Sequence, residues 1–321
     1  MKRRTLLKAA LGGAALGTGA WWAARERLLE FSTAGIAFGT TVVLRVLHDD
    51  ESSARTALGE AMRAVQNVDR LMSLYRPDSQ LSMLNRDGRL IGPDARVVAV
   101  LREAQAISAA TDGAFDVTVQ PLWLAATGQA NAASVLHRVD WRKLQVTDKA
   151  LHMTSGMAVT LNGIAQGYGV DVALATLRSH GIAQALLDTG EFGTLGARDD
   201  GQPWTLAIRD PRDAQGIAHL LAADGRCLAT SGDYGTAFSR DFSHHHIVDP
   251  KTGASPQELA SVSVLAPTGM QADALSTAFM VMGTDNALRL ARALPGVDVL
   301  CIGKDGRIRR SEGFPSLPKA V

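Results

Sequence analysis

Strand-like and helix-like segments follow one another in this chain without a regular β–α alternation, and that irregularity constrains the fold most. A doubly wound parallel sheet needs a crossover after nearly every strand, whereas strands joined by tight turns build antiparallel sheets. Residues 35–48 read as a strand, with alternation in Thr41-Val42-Val43-Leu44-Arg45-Val46. Apolar residues at helical spacing mark 54–74 (Leu58, Met62, Val65, Val68, Leu71, Met72), which Pro77 and Asp78 stop. A second amphipathic helix covers 96–110, closed by Asp112-Gly113. Segments 144–146 and 150–153 flank Asp148-Lys149 like a hairpin, and 165–180 reads as a helix with Gly181 at a left-handed stop. Turns follow at Asp199-Asp200-Gly201 and Asp224-Gly225, then a helix over 286–294 and a hairpin around Lys304-Asp305-Gly306. The expected class is α+β, with mixed or antiparallel sheets flanked by helices.

The first residues carry a different message. Lys2-Arg3-Arg4-Thr5-Leu6-Leu7-Lys8 precedes a Gly/Ala-rich apolar stretch from Ala9 to Ala24. Paired arginines before a weakly hydrophobic run read as a twin-arginine export signal. The run is about 15 residues, short of the roughly 18–20 that span a bilayer, which favours a cleaved signal over an uncleaved anchor. The expected organisation is residues 1–30 as signal and cleavage region, then one domain over 31–321. The export machinery is an expected partner and the periplasm the expected location. Cys227 and Cys301 sit in apolar contexts and read as two buried thiols, although a disulfide is open in that compartment. The formal charge of +1, with no basic tract interleaved with aromatics, argues against nucleic acid as a partner.

Residues 244–277 gather the most chemistry. His244-His245-His246 leads into Ile247-Val248-Asp249-Pro250-Lys251-Thr252-Gly253, and Gln271-Ala272-Asp273-Ala274-Leu275-Ser276-Thr277 follows. On a helix, Asp273 and Thr277 share a face, and one carboxylate with one hydroxyl suits Mg²⁺. The same spacing also fits Asp273 as the cap of a helix beginning at Ala274. Successive residues on a strand alternate faces, so the three histidines cannot converge on one ion. Three other clusters stand out. Tyr75, in Leu74 to Asn85, would stack on a flat ligand or cover the core edge. Asp112-Gly113-Ala114-Phe115-Asp116 reads as a helix stop before a buried ring. Asn162-Gly163-Ile164-Ala165-Gln166-Gly167-Tyr168 enters a helix, whose first amides favour phosphate oxygens.

In their order along the chain these stretches resemble the FAD:protein FMN transferase family, also called ApbE. The matching segments are Phe38-Gly39-Thr40, Tyr75 to Asn85, Gly113 to Asp116, Asn162 to Tyr168, Ser231 to Tyr234, His246 to Gly253 and Ala272 to Thr277. The resemblance implies an ApbE-like fold of two intimate lobes with the flavin site in the cleft between them. It implies that FAD is bound and its FMN half passed to a Thr or Ser hydroxyl of an acceptor flavoprotein, releasing AMP, with Mg²⁺ on the diphosphate. It places metal ligands at Ala165 (through its carbonyl), Asp273 and Thr277. It places FAD contacts at Phe38, Tyr75, Ala114, Phe115, Asp116, Asn162, Tyr168 and Ile247.

A base must take the acceptor's hydroxyl proton, and His246 is the candidate because neutral imidazole is available near neutral pH. Its alternative role is to shape the turn at Asp249 to Gly253, which Asp249 itself is expected to fix. The chain departs from the family pattern in three places. Phe38 replaces a Met, Gln166 replaces a Lys expected near the phosphates, and the usual Gly-Gly-Asp stretch reads Asp188-Thr189-Gly190-Glu191. A carboxylate at Glu191 could repel phosphate or orient the acceptor. These departures look like the NosX-like branch, whose acceptor would be a NosR-type membrane flavoprotein. Two further outcomes stay open: cleavage of FAD to FMN and AMP by water, and flavin binding without transfer.

Overall fold

The computed structural model describes residues 28–128 and 131–317, so residues 1–27 of the expected signal and cleavage region lie outside the described residues, while Leu29 and Glu30 at its end already belong to the first strand. An eight-stranded sheet dominates, in the order Leu29–Ala37, Thr40–His48, Gln184–Asp188, Phe192–Leu195, Cys227–Gly232, Leu259–Ala266, Asp298–Gly303 and Ile308–Arg310. Every neighbouring pair is antiparallel. Side chains alternate between its faces with period two. Cys227, Ala229, Val262, Val264, Val299 and Cys301 join the main core on one face. Leu228, Leu265, Leu300 and Ile302 meet Leu206, Ile208 and Leu221 of a separate hairpin on the other. With both faces covered, all 8 residues of Leu259–Ala266 are buried.

Three helices cover the first face: Glu51–Met72, Ala165–Ser179 and Gly269–Met282. Glu51–Met72 begins three residues before the periodic run, because the Asp50 carboxylate accepts the Ser53 N–H at 2.7 Å and caps the helix there. A small sheet of Arg89–Ile91, Ala150–His152 and Gln145–Val146 contains the expected hairpin over Asp148-Lys149. The main core runs from Ala37 to Cys301 and includes Leu151 and Leu161, so the small sheet and the large one share one interior. This is the expected α+β class.

Two local expectations change. Residues 35–48 form a hairpin, Leu29–Ala37 and Thr40–His48, not one strand. Phe38 and Gly39 turn it with φ of 54° and 74°, the left-handed pair a tight hairpin needs. Phe38 is held there by its N–H donating to Asp69 Oδ1 at 2.9 Å, and its ring lies where a side chain on Gly169 would collide. The turns at 199–201 and 224–225 carry the chain between sheets instead of joining paired strands, since among the described residues Thr205–Arg209 pairs only with Ile217–Ala222. Cys227 and Cys301 are buried free thiols, pushed by burial up to about 12. Among the described residues, no helix is long and apolar enough to cross a membrane.

Candidate active site

Two helices meet at the centre of the site, and each satisfies the other's open backbone. Asp171 of Ala165–Ser179 accepts the Gly269 N–H at 2.6 Å and the Met270 N–H at 3.0 Å, while Thr268 caps Gln271. The second helix therefore starts at Gly269, and Asp273 is not its cap: it lies one turn inside, on the crossing face. Its Oδ2 accepts the Gly167 N–H at 3.0 Å, one of the open donors of the first helix's first turn. That amide is thus already occupied and not free for phosphate. Thr277 follows one turn later on the same face, its Oγ1 3.1 Å from Ser231 Oγ, which also lies 2.8 Å from Ser276 Oγ. Asp273 and Thr277 thus share a helix face as their spacing predicts, and Ser231 joins them.

A cavity of about 240 Å³ opens beside this pair. Asp273, Thr277, His246, Ile247, Asn162, Ala114, Phe115 and Asp116 all line it. Phe38, Tyr75 and Ala165 line an adjoining hollow that shares Asn162, Gln166 and His246 with the first. Tyr75 is 77% exposed, so of its two readings the core-edge cover fails. Phe115 is buried, as a ring after a helix stop should be. Asp116 is mostly spoken for: it accepts the Thr118 N–H and hydroxyl at 2.7 and 2.6 Å and the Trp141 N–H at 3.1 Å.

Tyr168 is the exception among the expected flavin contacts. It lines neither hollow and is half-buried against the main core. Two residues along a helix rotate by about 200°, so Tyr168 faces away when Gln166 faces the cavity. Trp123, Val119 and Tyr234 line the cavity as well, beyond the contacts expected from the sequence. Trp123 arrives on the short helix Gln120–Ala126, where Pro at its first turn was the available signal.

The three histidines lie outside any named strand, so strand alternation does not apply to them, but they diverge all the same. His244 is exposed, and His245 is buried with Nε2 3.1 Å from Pro256 O. His246 turns into the cavity. Its Nδ1 lies 3.2 Å from Thr236 O, and a carbonyl can only accept, so the neutral ring carries its proton on Nδ1. Nε2 is left as a base, and burial holds the imidazole below its ordinary pKa. Asp249 fixes the following turn, accepting the Lys251 N–H at 2.8 Å and the Thr252 hydroxyl at 3.1 Å.

The segment carrying His246 is clamped to the far hairpin. Arg212 donates to both oxygens of the fully buried Asp233 at 2.7 and 2.8 Å, and its guanidinium lies 4.2 Å over the Phe242 ring. Lys304 donates to Phe242 O at 2.7 Å. Arg212→Ala leaves Asp233 buried with Lys304, 3.8 Å away, as its remaining ion-pair partner among the described residues. The expected cost is about 2 kcal/mol in urea unfolding, less than for a sealed pair because Arg212 is partly exposed. An unchanged midpoint would show that the clamp carries no stability.

Burial dominates the electrostatics. It pushes the Asp273 carboxyl up to about 7, with the charge of Asp171 adding to the shift. It pushes Glu191 well above the carboxylate range, with the charge of Asp273 adding to the shift. No Lys, Arg or His is among the groups that shift either one. An all-oxygen donor set whose carboxyl groups have no side-chain cation to stabilise their ionised form fits a hard divalent cation, which can take the place of their protons. Among the described residues, no group of three or more His, Cys, Asp or Glu forms a metal cage. A cation here would rest on mixed oxygens.

Comparison with known proteins identifies the fold and the family. The ApbE family model matches residues 38–301. The FAD:protein FMN transferase of Treponema pallidum is 32% identical over 322 residues, covering 90% of this chain and 89% of that protein. That of Vibrio cholerae is 30% identical over 279 residues, covering 81% and 83%. The solved flavin transferase ApbE of Vibrio cholerae superposes with a TM-score of 0.80 at 29% identity, over 89% of this chain and 98% of that one. The Pseudomonas stutzeri flavinyl transferase ApbE superposes with a TM-score of 0.78 at 28% identity, over 89% and 95%. With most of its length matched in sequence and in fold, the chain belongs to the ApbE family.

Proposed function

We propose that this protein transfers FMN from FAD to a Thr or Ser hydroxyl of an acceptor flavoprotein, releasing AMP. The observation that carries this reading is the convergence of the Asp273–Thr277 face, the first turn of Ala165–Ser179 and His246 on connected hollows. The acceptor oxygen attacks the FMN phosphorus, the bond to the AMP oxygen breaks, and the hydroxyl proton passes to His246 Nε2. Asp273, Thr277 and the Ala165 carbonyl would hold Mg²⁺, which when bound offsets negative charge on the diphosphate. Asn162, Phe115 and Ile247 shape the wall against which the flavin nucleotide is positioned, with Phe38 and Tyr75 at the rim. We read residues 1–30 as a twin-arginine signal, placing the reaction in the periplasm, with a NosR-type membrane flavoprotein as the acceptor.

The test is intact-mass analysis after incubation with FAD, Mg²⁺ and an acceptor domain. One added FMN on the acceptor is expected. Free FMN without an adduct would replace transfer by hydrolysis, and neither product would leave flavin binding alone.

His246 gives the reaction its pH dependence. A base must be deprotonated to act, and burial lowers the pKa, so the rate should rise with pH, half-maximal below the ordinary imidazole value, and be level at neutral pH. His246→Ala should lower kcat about a hundredfold and flatten that rise. An unaltered profile in the variant would remove His246 from proton transfer.

A further inference from the structure

Glu191 is a buried carboxylate that the proposed reaction does not use. It stands at the start of Phe192–Leu195, is 8% exposed and lines the same cavity as Asp273, which is 3% exposed. Its Oε2 accepts the Thr230 N–H at 3.0 Å, which fixes the side chain toward the site. Gln166 sits between this strand end and the helix crossing, its amide Nε2 donating to Thr189 O at 3.3 Å. The amide is neutral, so no side-chain cation on that wall offsets either carboxylate.

We propose that Glu191 is a second anionic member of the cation site, so that this chain takes up a divalent cation before FAD arrives. The proposal rests on the assignment of Asp273 and Thr277 to a cation, and extends it to a residue outside that pair. Two buried carboxylates facing one cavity have their charge relieved by a divalent ion more fully than one does, and the affinity of such sites rises with ligand charge. A cation held in the cavity then offers the diphosphate a Lewis acid where the empty site would offer it two carboxylates. The function of Glu191 is thus to fill the site, not to meet the acceptor.

The experiment titrates Mn²⁺ into the flavin-free protein, followed by electron paramagnetic resonance, with thermal unfolding in Mg²⁺ alone as a second readout. Wild type is expected to bind Mn²⁺ and to melt higher with Mg²⁺. Glu191→Gln keeps the bond to Thr230 and removes the charge. It should bind Mn²⁺ at least about tenfold more weakly and lose the Mg²⁺-dependent shift, while its metal-free melting temperature holds or rises. Glu191→Asp, which keeps the charge, should retain binding that Glu191→Gln loses. Equal loss in both variants would assign the effect to packing and overturn the proposal. Wild-type affinity in Glu191→Gln, or no binding by flavin-free wild type, would overturn it as well. Binding that follows this pattern without any FMN transfer would instead contradict the proposed reaction and leave the role of Glu191 standing.

Discussion

Asp273→Ala should abolish FMN transfer, lowering it at least about a hundredfold, while the protein stays folded. The expectation follows from two roles that can be separated. Asp273 presents a carboxylate to the cavity, and it also accepts the Gly167 N–H at 3.0 Å. Alanine removes both, leaving a buried N–H unpaired at about 1–3 kcal/mol, but it also removes a charge that burial disfavours. Asp273→Asn separates them, because its amide oxygen keeps the bond to Gly167 and carries no charge.

The folded-state pKa of Asp273 is raised to about 7 from 3.8, so the native state holds this proton where the unfolded chain has lost it. Its ionisation therefore costs stability that grows as pH climbs from the ordinary carboxylate range toward 7. Asp273→Asn should accordingly melt above wild type in metal-free buffer at pH 8 and near it at pH 4. Transfer should still be lost. Retained transfer in Asp273→Asn would mean that the carboxylate is there to join two helices and nothing more.

Gly167→Ala should be the most damaging change outside the cavity. A methyl at Gly167 would fall well inside contact distance of the Gly269 carbonyl oxygen, and one at Gly269 would strike the Gly167 carbonyl in return. Backbone is the obstacle in both cases, so no side chain can rotate away. The helices must separate, and with them the Asp171 and Asp273 bonds that cross between them. A loss of about 3 kcal/mol or more is expected, seen as a fall in Tm of at least about 5 °C. Gly181→Ala supplies a contrast, since nothing lies within 4 Å of a methyl there and only its φ of 76° opposes the change. Equal costs at both positions would mean that backbone strain, not helix contact, sets the penalty.

The parts of this fold that obey local rules could be read from the chain. The helix Glu51–Met72 announces itself through Leu58, Met62, Val65 and Val68, and the left-handed Gly181 closes Ala165–Ser179 where expected. The Phe38-Gly39 turn could not be read, because an aromatic residue is a poor signal for a left-handed position. Its conformation is imposed from elsewhere, by Asp69 and by the space over Gly169.

The site divides the same way. Asp273 with Thr277 is a one-turn relation, and the His246 to Gly253 turn is likewise local. What joins Glu191, Ser231 and Thr277 is the neighbouring of Phe192–Leu195 and Cys227–Gly232 in the sheet and the packing of Gly269–Met282 on it. Those are long-range pairings with no signature in any short stretch. Tyr168 shows the converse. Its motif neighbours reach the cavity, and the helical rotation between Gln166 and Tyr168 carries the ring elsewhere.

A crystal grown with FAD and Mn²⁺, read by anomalous scattering, would locate the cation itself. One strong peak is expected within about 2.3 Å of carboxylate and hydroxyl oxygens of Asp273 and Thr277, touching the FAD diphosphate. Ordered FAD whose diphosphate lies away from Asp273, with no manganese between them, would contradict it.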